Sequence, residues 1–297
     1  MEHPLNYQFS GHGTFTLRSN WLKRLYDECV ADPMIFTRVD ALVRFGVGKN
    51  MVDSIKHWGI VTGIIEAHHE RGWQPTRMAH TLFGVDGIDP YLVTPWSRWW
   101  LHWQLVNSSA FSWNYVFMQM ASNQIDKEQI TRDIASTIGT LGAKIPSQDV
   151  LKRDISCLVN SYVAPQYSSS EIEETLLSPL ISLNLLQDNG EAIRIISNER
   201  DDLPDSIFLS AVGQAMITSG RTTISFSEIM WGRNGPGRMF RLTEDALLFR
   251  ISKLEQMTHG QAMYSDHAGV RSVMWQNVHE FDVNEHVHSH LHQEVGR

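Results

Sequence analysis

A mainly α fold built from winged helix-turn-helix modules with short β wings is what the sequence predicts, on three observations. Apolar residues recur at helical spacing through most of the chain. The stretch "VDALVRFGVGKNMVDSIKHWGIVTGII", Val39 to Ile65, runs helix, glycine turn, helix and β-branched run, the order of a winged helix-turn-helix. "KEQITRDIASTIGTLGAKIPSQDVLKRDISCLVNSYVAP" repeats a helix-turn-helix pattern punctuated by Gly139, Gly142 and Pro146. The organisation expected is an N-terminal winged-helix-like domain over 1–90, a mainly helical domain with further helix-turn-helix-like units over 91–255, and a tail over 256–297.

The elements follow in order. "SNWLKRLYDECV" places Trp21, Leu22, Leu25 and Cys29 on one helical stripe, with Ser19 as its cap and Asp32-Pro33 as its stop. A short helix from Arg38 directs Val39, Leu42, Val43 and Phe45 to a core and breaks at Gly46; the next carries Met51, Val52, Ile55 and Trp58. After Gly59 the β-branched run Ile60, Val61, Ile64 and Ile65 favours strand. Thr94-Pro95 opens a helix whose Trp96, Trp99, Trp100 and Trp103 lie at helical spacing, the signature of a buried face. Ser147 caps another helix, "YSSSEIEETL" reads as a polar connection into a serine-capped helix, and strands are expected about the turn Asp188-Asn189-Gly190. "DSIFLSAVGQAMIT", "SFSEIMWG" and "TEDALLFRISKLEQM" read as the last helices.

Composition narrows the function. A length of 297 residues with 42% hydrophobic content supports a substantial core. The formal net charge of -8 argues against indiscriminate coating of nucleic acid, so any DNA contact must be local. Cys29 and Cys157 are too few for a disulfide framework and are not spaced as zinc ligands, which suits a reducing cytoplasm. No cationic-then-apolar leader and no apolar run of spanning length stand in the sequence, so no membrane association is expected.

The strongest candidate for DNA contact is the start of the second helix of the opening module. Arg38, Arg44, Lys49 and Lys56 outnumber Asp40 and Asp53 there, and Gly48, Lys49 and Asn50 begin a helix whose free amides favour a phosphate while Asn50 can reach a base edge. A nucleotide-cradling loop fits poorly, because Asn50 stands where the magnesium-binding hydroxyl of such a loop should be. Use of the same module for protein contacts or dimerisation stays open. "WGRNGPGRMFR" supplies a second basic cluster, Arg233, Arg238 and Arg241, fit for phosphate or for pairing with Glu228, Glu244 or Asp245. In "FSGHGTFTLRSNW", His12 is a candidate for acid-base chemistry and Arg18 for clamping a phosphate; a packed, hydrogen-bonded histidine is the alternative. His286, His288, His290 and His292 alternate near the C-terminus and would face one side of an extended chain, a pattern able to chelate a transition metal or simply to lie in solvent. No gathering of carboxylates marks a nuclease centre, so the metal ligands are unassigned.

The motifs "FSGHGTFTLRSNWLKR", "RVDALVRFGVGKNMVDSIKHW", "TPWSRWWLHWQL", "KRDISCLVNSY" and "GPGRMFRLTEDAL", in this order, resemble an uncharacterised-domain family of bacterial DNA phosphorothioation defence islands, over about Phe9 to Leu254. Within it the chain is similar to the SspB-type components of single-strand phosphorothioation systems. That resemblance implies a DNA-binding, strand-nicking component served by Mg2+ or Mn2+, or alternatively a non-catalytic adaptor placing partner enzymes on DNA. It implies as partners DNA and the cysteine desulfurase, PAPS-reductase-like and ATPase proteins of such systems, and pairing on DNA makes a homodimer the expected state. It puts His12, Thr14 and Arg18 in the N-terminal motif and Gly46, Gly48, Lys49 and Asn50 in the central one. The family pattern has glutamate after the histidine, where this chain has Gly13.

Overall fold

The computed structural model describes residues 7–164 and 177–295, and the serine-rich connection expected at 167–176 lies outside them. Two compact units emerge, one of residues 1–115 and 122–195, the other of 116–121 and 196–297.

In the first unit, α1 (Ser19–Ala31) buries Trp21, Leu22, Leu25, Tyr26 and Cys29. Its cap is Arg18 rather than Ser19, and Asp32 closes it. The five-residue α2 (Ala41–Phe45) ends at Gly46, whose φ of 64° is the left-handed conformation that glycine adopts without steric cost. The longer α3 (Lys49–Val61) packs on α1 at Gly59, where an added Cβ would stand 2.1 Å from Leu25 Cδ2, so only glycine permits this approach. Helix persists to Val61, and the strand begins at Ile65. β1 (Ile65–His68) and β2 (Gly72–Pro75) pair antiparallel, with Ile65 opposite Pro75.

Helix α4 (Arg77–Phe83) is capped by Thr76, and α5 (Pro95–Asn107) by Thr94 with Pro95 at its first turn. The four tryptophans of α5 are buried. A short α6 (Phe111–Asn114) runs into a π-helical turn, Tyr115–Gln119. Beyond it come β3 (Gln124–Ile125), then α7 (Lys127–Thr140), which packs against α8 (Gln148–Tyr162). Asp126 and Ser147 cap these helices by accepting hydrogen bonds from first-turn amides. β4 (Leu186–Asp188) and β5 (Ile193–Ile195) form the expected hairpin, and β3 joins it in the order β3-β5-β4.

The second unit is built on α9 (Asp205–Ser219), which buries residues on nearly every side. β6 (Thr223–Ser225) leads into α10 (Phe226–Trp231) through a capping box of Ser225 and Glu228. Short helices α11 (Pro236–Met239), α12 (Glu244–Ile251) and α13 (Leu254–Met257) follow. β7 (Ala262–His267) and β8 (Val270–Trp275) turn at Ala268-Gly269, both with positive φ, and the sheet order is β6-β8-β7. The last described element is α14 (Val283–Val295), packed on α9 through Val287 and Leu291.

These observations correct the expected fold class. The described residues are 54% helical and 13% strand, a mixture of helix and sheet and not evidently a winged helix-turn-helix fold. Among the described residues its strands form three small antiparallel sheets rather than wings on helical modules. The physical reason is twofold. α3 is a core helix, burying Val52, Ile55, His57, Trp58 and Val61. The strands are short and partly polar, and two of the sheets take a strand from a distant segment, a pairing that no local pattern reveals.

Candidate functional site

The N-terminal motif threads into the first unit. Gln8 bridges to Ala110, the Gly13 amide closes a turn on the Ser10 carbonyl, and Gly13 adopts a φ of 60°. This turn drives His12 inward to 1% exposure. Its Nε2 lies 2.8 Å from Asp154 Oδ1, which also accepts the Ser10 amide at 2.6 Å, while Asp154 Oδ2 accepts the Ser112 hydroxyl at 2.5 Å. Asp154 is therefore a buried acidic group with three donors. Around His12 stand Trp58, stacked at 5.7 Å, and Trp113 and His57, edge-on at 5.9 and 5.6 Å.

With Nε2 donating to Asp154, the other nitrogen of His12, Nδ1, is buried and has no hydrogen-bond partner among the described residues. An imidazole oriented by a carboxyl group with its second nitrogen bare is the arrangement of a general base, here walled off by tryptophan. His57 is buried likewise, and burial, then the neighbouring His12, pushes its pKa down to about 4. Gly11 is required beneath it, since a Cβ there would fall 2.3 Å from His57 Nδ1. Beside the motif lies a cavity of about 450 Å³ lined by Tyr7, Phe9, Lys144, Pro146 and Val150 among others.

Asp154, Ser112 and His57 were not legible as site residues, though one signal existed. Asp154 shares the face of α8 that buries Leu151, Ile155 and Leu158, and an acid on an apolar stripe requires a buried partner.

The start of α3 has the opposite character. Gly48, Lys49 and Asn50 are exposed, no side chain caps the helix, and no acid stands in its first turn. Lys49 forms no ion pair among the described residues. The neighbouring cations are engaged: Arg44 Nη2 lies 2.6 Å from Glu28 and Arg38 Nε 2.6 Å from Asp32. Lys56 sits over Trp73 at 4.5 Å and Phe36 at 5.0 Å, and Arg18 stacks 5.0 Å from Trp21.

In the second unit, Arg233 is exposed, but Arg238 and Arg241 turn inward. Arg238 Nη1 donates to the Met118 carbonyl at 3.1 Å, and Arg241 Nη2 to that of Val116 at 2.6 Å. These carbonyls end the π-helical turn, where cations are favoured. Burial, then Arg238 and Arg200, lowers the Arg241 pKa to about 10, which leaves it charged at neutral pH. The expected partners Glu244 and Asp245 are not used, and Glu228 pairs with Arg221 at 2.5 Å.

A divalent cation for nicking finds no ready cage, since the described residues gather no group of three histidine, cysteine or acidic side chains. Among the described residues no preassembled Mg2+ site is found. No helix among the described residues is long and apolar enough to cross a membrane.

The family model described as "Protein of unknown function (DUF4007)" matches residues 9–290. The chain belongs to that family. Among curated proteins none matches. The DUF4007 chain is similar to a solved structure described as "SspB crystal structure", at 26% identity and a TM-score of 0.82, covering 97% of this chain and 88% of the other. A second, "Magnesium ion-bound SspB crystal structure", matches at 24% identity and a TM-score of 0.78 over 98% of this chain and 96% of that one, and shares the fold. The likeness to SspB therefore spans both units of this DUF4007 protein.

Proposed function

We propose that this protein is a DNA-binding component of a bacterial phosphorothioation defence system and that it nicks one strand. The observation that carries the reading is the open start of α3: exposed Gly48, Lys49 and Asn50 with no capping or acidic side chain, on a chain whose net charge is -8. A helix start of this kind attracts an anion through its dipole and amides, and Lys49, in no ion pair among the described residues, adds positive charge there. Arg18, Arg38, Arg44 and Lys56 are the further cations of the same unit, and Arg233 is a separate exposed cation of the second unit, whereas Arg238 and Arg241 brace the 116–119 turn. The full-length likeness to SspB and the motifs from Phe9 to Leu254 support the phosphorothioation setting, with the desulfurase, PAPS-reductase-like and ATPase proteins and a second copy of the chain as partners.

A second reading, the non-catalytic adaptor, is favoured by the burial of His12 and its engagement with Asp154. One experiment separates them. Supercoiled plasmid is incubated with the pure protein in Mg2+, Mn2+ or EDTA, beside a binding titration across salt and beside Lys49→Ala. Metal-dependent open circles that the variant fails to make support the nickase. Binding without nicking supports the adaptor, and DNA affinity unchanged in Lys49→Ala would sink the α3 contact.

A further inference from the structure

The proposed function leaves the C-terminal histidines unused. They stand on α14 rather than on an extended chain, and residues four apart on a helix share a face. The rings of His286 and His290 meet there, with centroids 4.1 Å apart and an interplanar angle of 34°.

Their nitrogens are not equivalent. Nδ1 of His290 lies 2.9 Å from the His286 carbonyl, and a carbonyl can only accept. Nδ1 therefore carries the proton and Nε2 keeps its lone pair, the backbone-anchored state of a metal-ligating histidine. Nε2 of His286 is buried without a hydrogen-bond partner among the described residues, a condition that costs free energy until something occupies it.

We propose that His286 and His290 form a two-histidine chelate for a borderline divalent transition cation, Zn2+, Ni2+ or Cu2+. Two histidines one helical turn apart supply adjacent ligands of such an ion once a small side-chain rotation makes their lone pairs converge, and water fills the other positions. Mg2+ is excluded, because it takes oxygen donors and imidazole does not suit it. The ion would stiffen α14, which is held to α9 by Val287, Leu291 and the hydrogen bond from the Ser206 hydroxyl to Glu294.

The test is calorimetric titration of the full chain with Ni2+ and Zn2+, Cu2+ absorption spectra, and thermal melts with and without Zn2+. One saturable site is expected, weakened roughly tenfold or more in His286→Ala and in His290→Ala. A double variant, His288→Ala with His292→Ala, should bind as the wild type does. Zn2+ should raise the melting temperature of the wild type and not of His290→Ala. The half-buried His290 keeps the test open if the His286 variant folds poorly. Equal affinity in His290→Ala, loss of the site in the 288/292 double variant, or competition by Mg2+ would overturn the proposal.

Discussion

The His12 cluster and the start of α3 belong to one unit, and both were singled out by sequence motifs, yet their physics is opposite. At His12 every donor that reaches Asp154 is spent inside the protein, behind tryptophan. At Lys49 no side chain caps the helix, no acid stands in its first turn, and the ammonium group forms no ion pair among the described residues. The contrast teaches that a polar residue in a motif acts outward only where the fold leaves it unsatisfied. The arginines repeat the lesson: Arg233 faces solvent, while Arg241, eight residues on, is 5% exposed and bonded to Val116.

The contrast can be broken most sharply at Asp154. Asp154→Ala strands the buried His12 and Ser112 donors and the half-buried Ser10 amide and should cost about 4 kcal/mol of stability, read as a lower denaturant midpoint. A loss of DNA binding with full stability would instead make the cluster a binding site.

Acid should act on the interior and spare the helix start. The folded pKa of His57, about 4, lies below its ordinary 6.5, so between these values the unfolded chain takes up a proton that the folded chain refuses. Stability then falls as pH drops from 6.5 towards 4, by about 3 kcal/mol in full. His57→Gln should lose less over this window in melts at pH 7 and pH 4.5. An identical pH dependence in the variant would place the acid sensitivity elsewhere.

Arg241→Met removes the donor to the Val116 carbonyl and should cost about 2 kcal/mol, with unchanged DNA affinity once the fraction folded is accounted for. Lys49→Ala closes the series. Its stability should stay within about 0.5 kcal/mol of the wild type, while DNA affinity drops and the salt slope falls by about 1. A large loss of stability there would show that Lys49 is part of the fold.

Much of the helical framework was legible because its signals are local. The tryptophan stripe of α5, the Thr94-Pro95 start, the Gly46 stop and the Ser147 cap each depend on neighbours within a turn or two of the chain. The 188–190 turn was legible for the same reason. The β7-β8 hairpin was not: its turn is Ala268-Gly269 in place of the usual Asn-Gly, and its strands carry several exposed polar residues. The site divided likewise. His12 and Lys49 stood out in motifs, but Asp154 reaches His12 across 142 positions of sequence.

Sequence by itself determined which residues could be helical, where those helices begin and stop, that the charge balance argues against indiscriminate coating of nucleic acid, and which motifs align the chain with its family. Tertiary structure alone decided that the strands form sheets of their own, that His12 is enclosed, that Arg238 and Arg241 turn to the backbone, and that His286 and His290 share a helical face. Helix propensity, capping and turn chemistry act over a few residues and are written locally. Burial and hydrogen-bond satisfaction depend on which distant segments meet, and that is settled only when the chain has packed.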